Sequence, residues 1–173
     1  TIDTVAPTTT IDNPSPASVG IGETSTISIT LGKPSTDFAI GDIAVAGGTL
    51  GDFVAVSSTV YTVVFTPDAD STTNGTINVP AGVFTDAAGN DNAAATEKTI
   101  TVDTVAPTVI VTSSAASVSS TDSNPTISFT LSEASSDFVE SDVVVTGGEL
   151  VAGSWDATGA PTYTVEFKPD PDF

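Results

Sequence analysis

Thr26-Ile-Ser-Ile-Thr-Leu31 alternates apolar with hydroxyl side chains, and one hundred residues later Thr126-Ile-Ser-Phe-Thr-Leu131 does the same. In an extended chain successive side chains point to opposite faces, so a period of two puts Ile27, Ile29 and Leu31 on one buried face and leaves Ser and Thr for water. Tyr61, Val63 and Phe65 keep the same period, and Ile77 and Val79 follow the turn-forming pair Asn74-Gly75. The pattern predicts about seven short strands, near residues 5–11, 24–31, 42–47, 53–57, 60–66, 76–84 and 96–102. Pro, Gly, Asn and Asp bound them, and no stretch has helical periodicity. The predicted fold class is all-β, an antiparallel β-sandwich.

The repetition runs along the chain. Thr1-Ile-Asp-Thr-Val-Ala-Pro-Thr8 returns as Thr101-Val-Asp-Thr-Val-Ala-Pro-Thr108, and Asp42-Ile-Ala-Val-Ala-Gly-Gly-Thr-Leu50 as Asp142-Val-Val-Val-Thr-Gly-Gly-Glu-Leu150. After Leu50 the second copy gains two residues: Tyr61-Thr-Val-Val-Phe-Thr-Pro-Asp68 returns as Tyr163-Thr-Val-Glu-Phe-Lys-Pro-Asp170, so Phe53 aligns with Trp155. A unit of about 100 residues and seven strands has the size of an immunoglobulin-like domain. The absence of cysteine excludes only the disulfide-bridged antibody subset. The chain thus divides into residues 1–102, a complete immunoglobulin-like repeat, and 103–173, the N-terminal two-thirds of a second. The second copy carries no counterpart of Ser71 to Ile100, which predicts an unpaired sheet edge and an incomplete core. Opening at Thr1 without any methionine, the chain reads as a piece of something longer.

Twenty-two Asp and Glu stand against 3 Lys and Arg, for a net charge of −19, and there is no His, Cys or Met. Ser-His-Asp relays, Cys-His pairs and zinc sites with nitrogen or sulfur ligands are therefore excluded, and only carboxylate oxygen chemistry remains. The negative charge opposes binding to nucleic acid or to anionic membrane surfaces. With 39% hydrophobic residues the chain has material for a core, but no apolar run approaches the ~20 residues needed to span a bilayer.

Asp103-Thr-Val-Ala-Pro107, Asp142-Val-Val-Val-Thr-Gly-Gly148 and Pro80-Ala-Gly-Val-Phe-Thr-Asp-Ala-Ala-Gly-Asn90 resemble the bacterial Ig-like repeats of giant surface adhesins, including RTX-type adhesins and biofilm-associated extender proteins. The resemblance covers nearly the whole chain. It implies an extracellular or cell-surface location, tandem arrays that hold a distal binding domain away from the cell, and calcium near domain junctions. The second copy departs from the pattern by lacking a match to Phe84 through Asn90, so no site there carries over to it.

In the usual sandwich order the chain enters at one pole and leaves at the other. The entry pole is expected to gather Asp3, the loop with Asp37 and Asp42, and Asp86, Asn90 and Asp91, with Gly89 permitting the turn. The exit pole is expected to gather Asp68 and Asp70, opposite Asp103, Asp137 and Asp142 of the next repeat. Calcium takes six to eight oxygens from such groups. The competing explanation is that these residues are solvated turn formers, for which Asp-Ala-Ala-Gly-Asn and Pro-Asp-Ala-Asp are well suited. Asp68 to Gly75 has neither the acidic closing position nor the glycine placement of an EF-hand loop. A short junction stiffened by Pro107 suggests that a divalent cation relieves repulsion and fixes the interdomain angle.

The leading expectation is a non-enzymatic spacer, or extender, whose partners are neighbouring repeats of the same chain and other copies of itself. The alternative is a subunit of an extracellular fibre or sheath, completed by strand addition from a neighbouring chain. A carboxylate enzyme or sugar-binding module using Asp68 and Asp70 is disfavoured, because aromatic residues make up only 6% and fall on strand positions.

Overall fold

The computed structural model describes residues 2–119 and 124–171, and the chain divides into two compact units, Thr1–Ala106 and Pro107–Phe173. Thr104 is tied to the first unit. Its backbone N–H donates to the Ser71 carbonyl at 2.9 Å and its hydroxyl to that of Asp68 at 2.7 Å.

The first unit is a sandwich of two four-stranded sheets. One has the order β1 (Thr9–Ile11), β3 (Ser25–Leu31), β6 (Val60–Pro67), β5 (Gly48–Ala55), all antiparallel. The other runs β2 (Ser18–Val19), β8 (Lys98–Val102), β7 (Gly75–Asn78), β4 (Ala44–Ala46). Alternation does what the sequence predicts: Ile27, Ile29, Val63 and Phe65 are fully buried between the sheets and meet Ile77, Val79, Phe84 and Ile100 from the other side.

Three strand expectations need correction. β2 had no periodic signal, being two residues long, and it exists by pairing parallel to β8, with Val19 beside Val102. The stretch 76–84 is strand only to Asn78: Pro80 has no N–H to donate, and Gly82 turns the chain with φ 73°. The strand expected over 53–57 begins five residues earlier, at Gly48, and a bulge between Gly51 and Val54 interrupts its pairing with β6.

Among its described residues the second unit repeats only the first sheet, in the order β11 (Gly148–Leu150), β12 (Thr162–Pro169), β10 (Thr126–Leu131), β9 (Val109–Ser113). Phe129, Leu131, Tyr163 and Val165 form its core, with Ile127, Phe138, Val143 and Trp155 half-buried around them. Val144 to Thr146, the counterparts of β4, are not in a strand. In the first unit this segment pairs with β7, Val45 opposite Ile77; no counterpart of β7 stands among the described residues of the second. Val144 is 90% exposed, and its counterpart Ala44 is exposed as well.

Candidate functional site

The entry pole of the first unit is built around an ammonium group. β1 and β3 are neighbours in antiparallel register, which places the segment before β1 beside the turn after β3. Lys33 in that turn directs Nζ to both carboxylate oxygens of Asp3, at 2.9 and 2.8 Å, to Asp86 Oδ2 at 2.8 Å and to the Val5 carbonyl. Asp86 lies in the loop that follows Phe84, where Gly89 at φ 81° closes a tight turn through its N–H to the Asp86 carbonyl.

The Asp86 side chain is only 2% exposed, and its oxygens are saturated. They accept from the Ala88 and Asn90 backbone N–H groups, from Asn90 Nδ2 and from Lys33. These bonds, those of the Asn90 side chain foremost and Lys33 next, hold its carboxyl well below the ordinary carboxylate range. Asp3 is lowered as well, chiefly by Lys33, and the ammonium is correspondingly raised.

Of the residues expected at this pole, Asp3, Asp86 and Asn90 converge, and Asn90 Nδ2 also reaches the Asp3 carbonyl at 3.3 Å. The others have separate tasks. Asp37 accepts from the Thr85 N–H at 3.1 and 3.2 Å, from the Thr85 hydroxyl at 2.9 Å and from Ser35 at 2.6 Å. The Ser35 hydroxyl and the Thr85 backbone lower its pKa. Asp42 accepts from the Ala39 N–H at 2.8 Å and closes the short 3-10 turn Ile40–Asp42. Asp91 joins the loop through its backbone, in a bridge to Thr85, and is exposed.

Asp68 and Asp70 lie at the opposite end of the same sandwich, where they line a groove with Glu23 and Thr104. Asp103 is at this end too, its N–H bonded to the Val19 carbonyl and its carboxylate to the Val105 N–H. In the second unit Asp137 accepts from Ser135 at 2.6 Å and Asp142 from the Val139 N–H at 3.0 Å, reproducing the turn of the first.

Calcium does not fit the entry pole of the first unit as built, because an ammonium already occupies the point where the oxygens converge. Among the described residues no three Asp or Glu come together as a metal site. Two contributors escaped sequence reasoning. Lys33 was one of only 3 basic residues, and that rarity was the available signal. Asn92 had none: buried in the loop, its side chain accepts from Val83 and Phe84 N–H groups and donates to the Pro80 and Ala93 carbonyls.

Two facing four-stranded sheets with poles tied by capping bonds define an immunoglobulin-like sandwich, repeated in its first sheet by the second unit. The chain belongs to the bacterial Ig-like domain family, whose pattern it matches twice, over residues 3–102 and 103–173. Among solved structures it is similar to the Yersinia pseudotuberculosis adhesin InvE, with 18% identity and a TM-score of 0.42 over 95% of this chain and 51% of that one. It is also similar to InvD of the same organism, with 18% identity and a TM-score of 0.36 over 96% of this chain and 50% of that one. The chain therefore spans about half the length of these structures. No curated protein matches it.

Proposed function

We propose that the chain is a non-enzymatic extender segment of a bacterial cell-surface or secreted adhesin. The observation that carries this reading is the tandem use of one sandwich pattern, matched by the family twice in direct succession, over residues 3–102 and 103–173. Its acids also support it: at the first unit's entry pole they cap turns and hold Lys33. Length and stiffness are the properties such a segment contributes, and its partners are the repeats before and after it.

Calcium enters as the finer part of the proposal, away from the pole that Lys33 fills. Its support is the charge of −19 and the sequence contrast between Lys33 and its repeat counterpart Glu133. A calcium titration read by thermal melting and small-angle scattering tests both parts, with magnesium and chelator as controls. An elongated particle in every condition supports the extender. A melting temperature that rises with calcium and not with magnesium supports the metal, and an unchanged one removes it. A collapsed particle in all conditions overturns the extender itself.

A further inference from the structure

A groove of about 260 Å³ in the first unit is lined by Thr9, Thr10 and Ile11 of β1, at the edge of one sheet, and by Thr96 and Lys98 at the start of β8 in the other. Two of these residues break the alternation that builds the sandwich. In β8, Ile100 and Val102 are buried while Thr99 and Thr101 are exposed, so Lys98 falls on the core side, where a charge is costly. Its register partner is Ile77, which is fully buried. In β1, Thr9 lies on the core side with Ile11, opposite the buried Leu31, and is 9% exposed.

The fold satisfies neither polar group. The Thr9 hydroxyl is buried and has no hydrogen-bond partner among the described residues, which costs free energy unless a partner is supplied. The sandwich does not require a hydroxyl there, because the second unit has Val109 in the same register, opposite Leu131. Lys98 is equally out of place. Of the 3 basic residues, Lys33 and Lys168 are held by carboxylates at 2.8 Å. Lys98 forms no ion pair among the described residues and donates to the neutral Asn13 Oδ1 at 3.0 Å. The chain has 22 acids, yet none lines this groove. An inward lysine at the start of β8, which β2 does not reach, also blocks unwanted strand pairing, but that task asks nothing of a buried hydroxyl on the other sheet.

We propose that this groove binds a small hydroxylated carboxylate, with the carboxylate on Lys98 and a ligand hydroxyl on Thr9. Lys98 has three N–H donors, of which Asn13 takes one, so two remain for the carboxylate. A threonine hydroxyl both donates and accepts, which matches the hydroxyl of such a ligand, and Thr10 and Thr96 offer two more at the exposed rim. The volume lies below the ~300–1,000 Å³ of sites for drug-sized ligands, which limits the occupant to one small molecule. The inference is independent of calcium and of the extender reading.

The test titrates glucuronate into the full chain, with glucose and acetate as controls, and follows backbone amide shifts by NMR. Saturable shifts centred on residues 9–11 and 96–98 are expected with glucuronate, at least tenfold weaker binding with acetate, and none with glucose. Lys98→Met should abolish the response. Thr9→Val, which introduces the side chain used by the second unit, should weaken glucuronate binding at least fivefold while the melting temperature holds or rises. A hydroxyl with a purely structural role would not give that combination. Because Thr9→Val preserves the side-chain shape, it decides the matter even where Lys98→Met disturbs its strand. The proposal is overturned by the absence of saturable shifts with glucuronate, by an equal response to glucose or acetate, or by an affinity that Thr9→Val leaves unchanged.

Discussion

Lys33 is the residue on which the entry pole turns, and its consequences are measurable through pH. Asp86 has a folded pKa below its ordinary value of 3.8, so its contribution to stability is complete above that value. It is lost as pH falls from there toward the folded pKa. Lys33 has its pKa raised above 10.5, so its contribution is complete below that value and fades at higher pH. Melting temperatures between pH 6 and pH 2 should fall below about pH 4, and Asp86→Asn should melt lower at pH 6 and show a flatter acid limb. An acid limb unchanged by the substitution would assign the sensitivity to other carboxylates. Lys33→Met should leave Asp3 and Asp86 as facing like charges and lower the melting temperature at neutral pH, with partial recovery on adding calcium or salt. The sequence disclosed that Asp3, Asp86 and Asn90 meet, because turn residues and strand order place them. It did not disclose what lies between them, because a cation thirty residues from Asp3 carries no periodic or spacing signature.

Among the elements, the strands with an apolar alternation were legible, and the short β4 fell within the expected 42–47, whereas β2 was not legible. β3 and β6 announce themselves because each has one face against water and one against the core, so every second residue is constrained. β2 is held by its partner β8, and its two residues carry no periodic signal of their own. Two substitutions test how β7 and its following loop close the first unit. Phe84→Ala removes a fully buried ring from a cluster with Phe38 and should cost ~3–5 kcal/mol in denaturant unfolding. Gly75→Ala drives a methyl into the Phe65 ring and should cost ~1–3 kcal/mol through strain. A loss under about 0.5 kcal/mol in either would mean that the loop is not part of the cooperative core.

For the whole molecule, two units with unequal cores should not melt together. The first has both sheets over its apolar residues, whereas the second leaves Val109, Ile110, Val111 and Val144 exposed. Trp155 reports the second unit alone, so its fluorescence should change at a lower temperature than the main circular dichroism transition. Coincident midpoints would mean that the two unfold as one body. A charge of −19 acts on both units, and moderate salt should raise both transitions by screening self-repulsion.

The parallel pairing of β2 with β8 has a mechanical meaning. One strand lies near the start of the first unit and the other is its last, and they run side by side in the same direction, Ser18 with Thr101 and Val19 with Val102. Tension applied at the two ends of this unit pulls these neighbours past each other along their length. Their hydrogen bonds are then loaded in shear and must rupture together, whereas a hairpin pulled from its open end unzips one bond at a time. Single-molecule stretching should find that Val19→Pro, which removes a backbone donor at this seam, lowers the unfolding force of the first unit by more than its effect on melting would suggest.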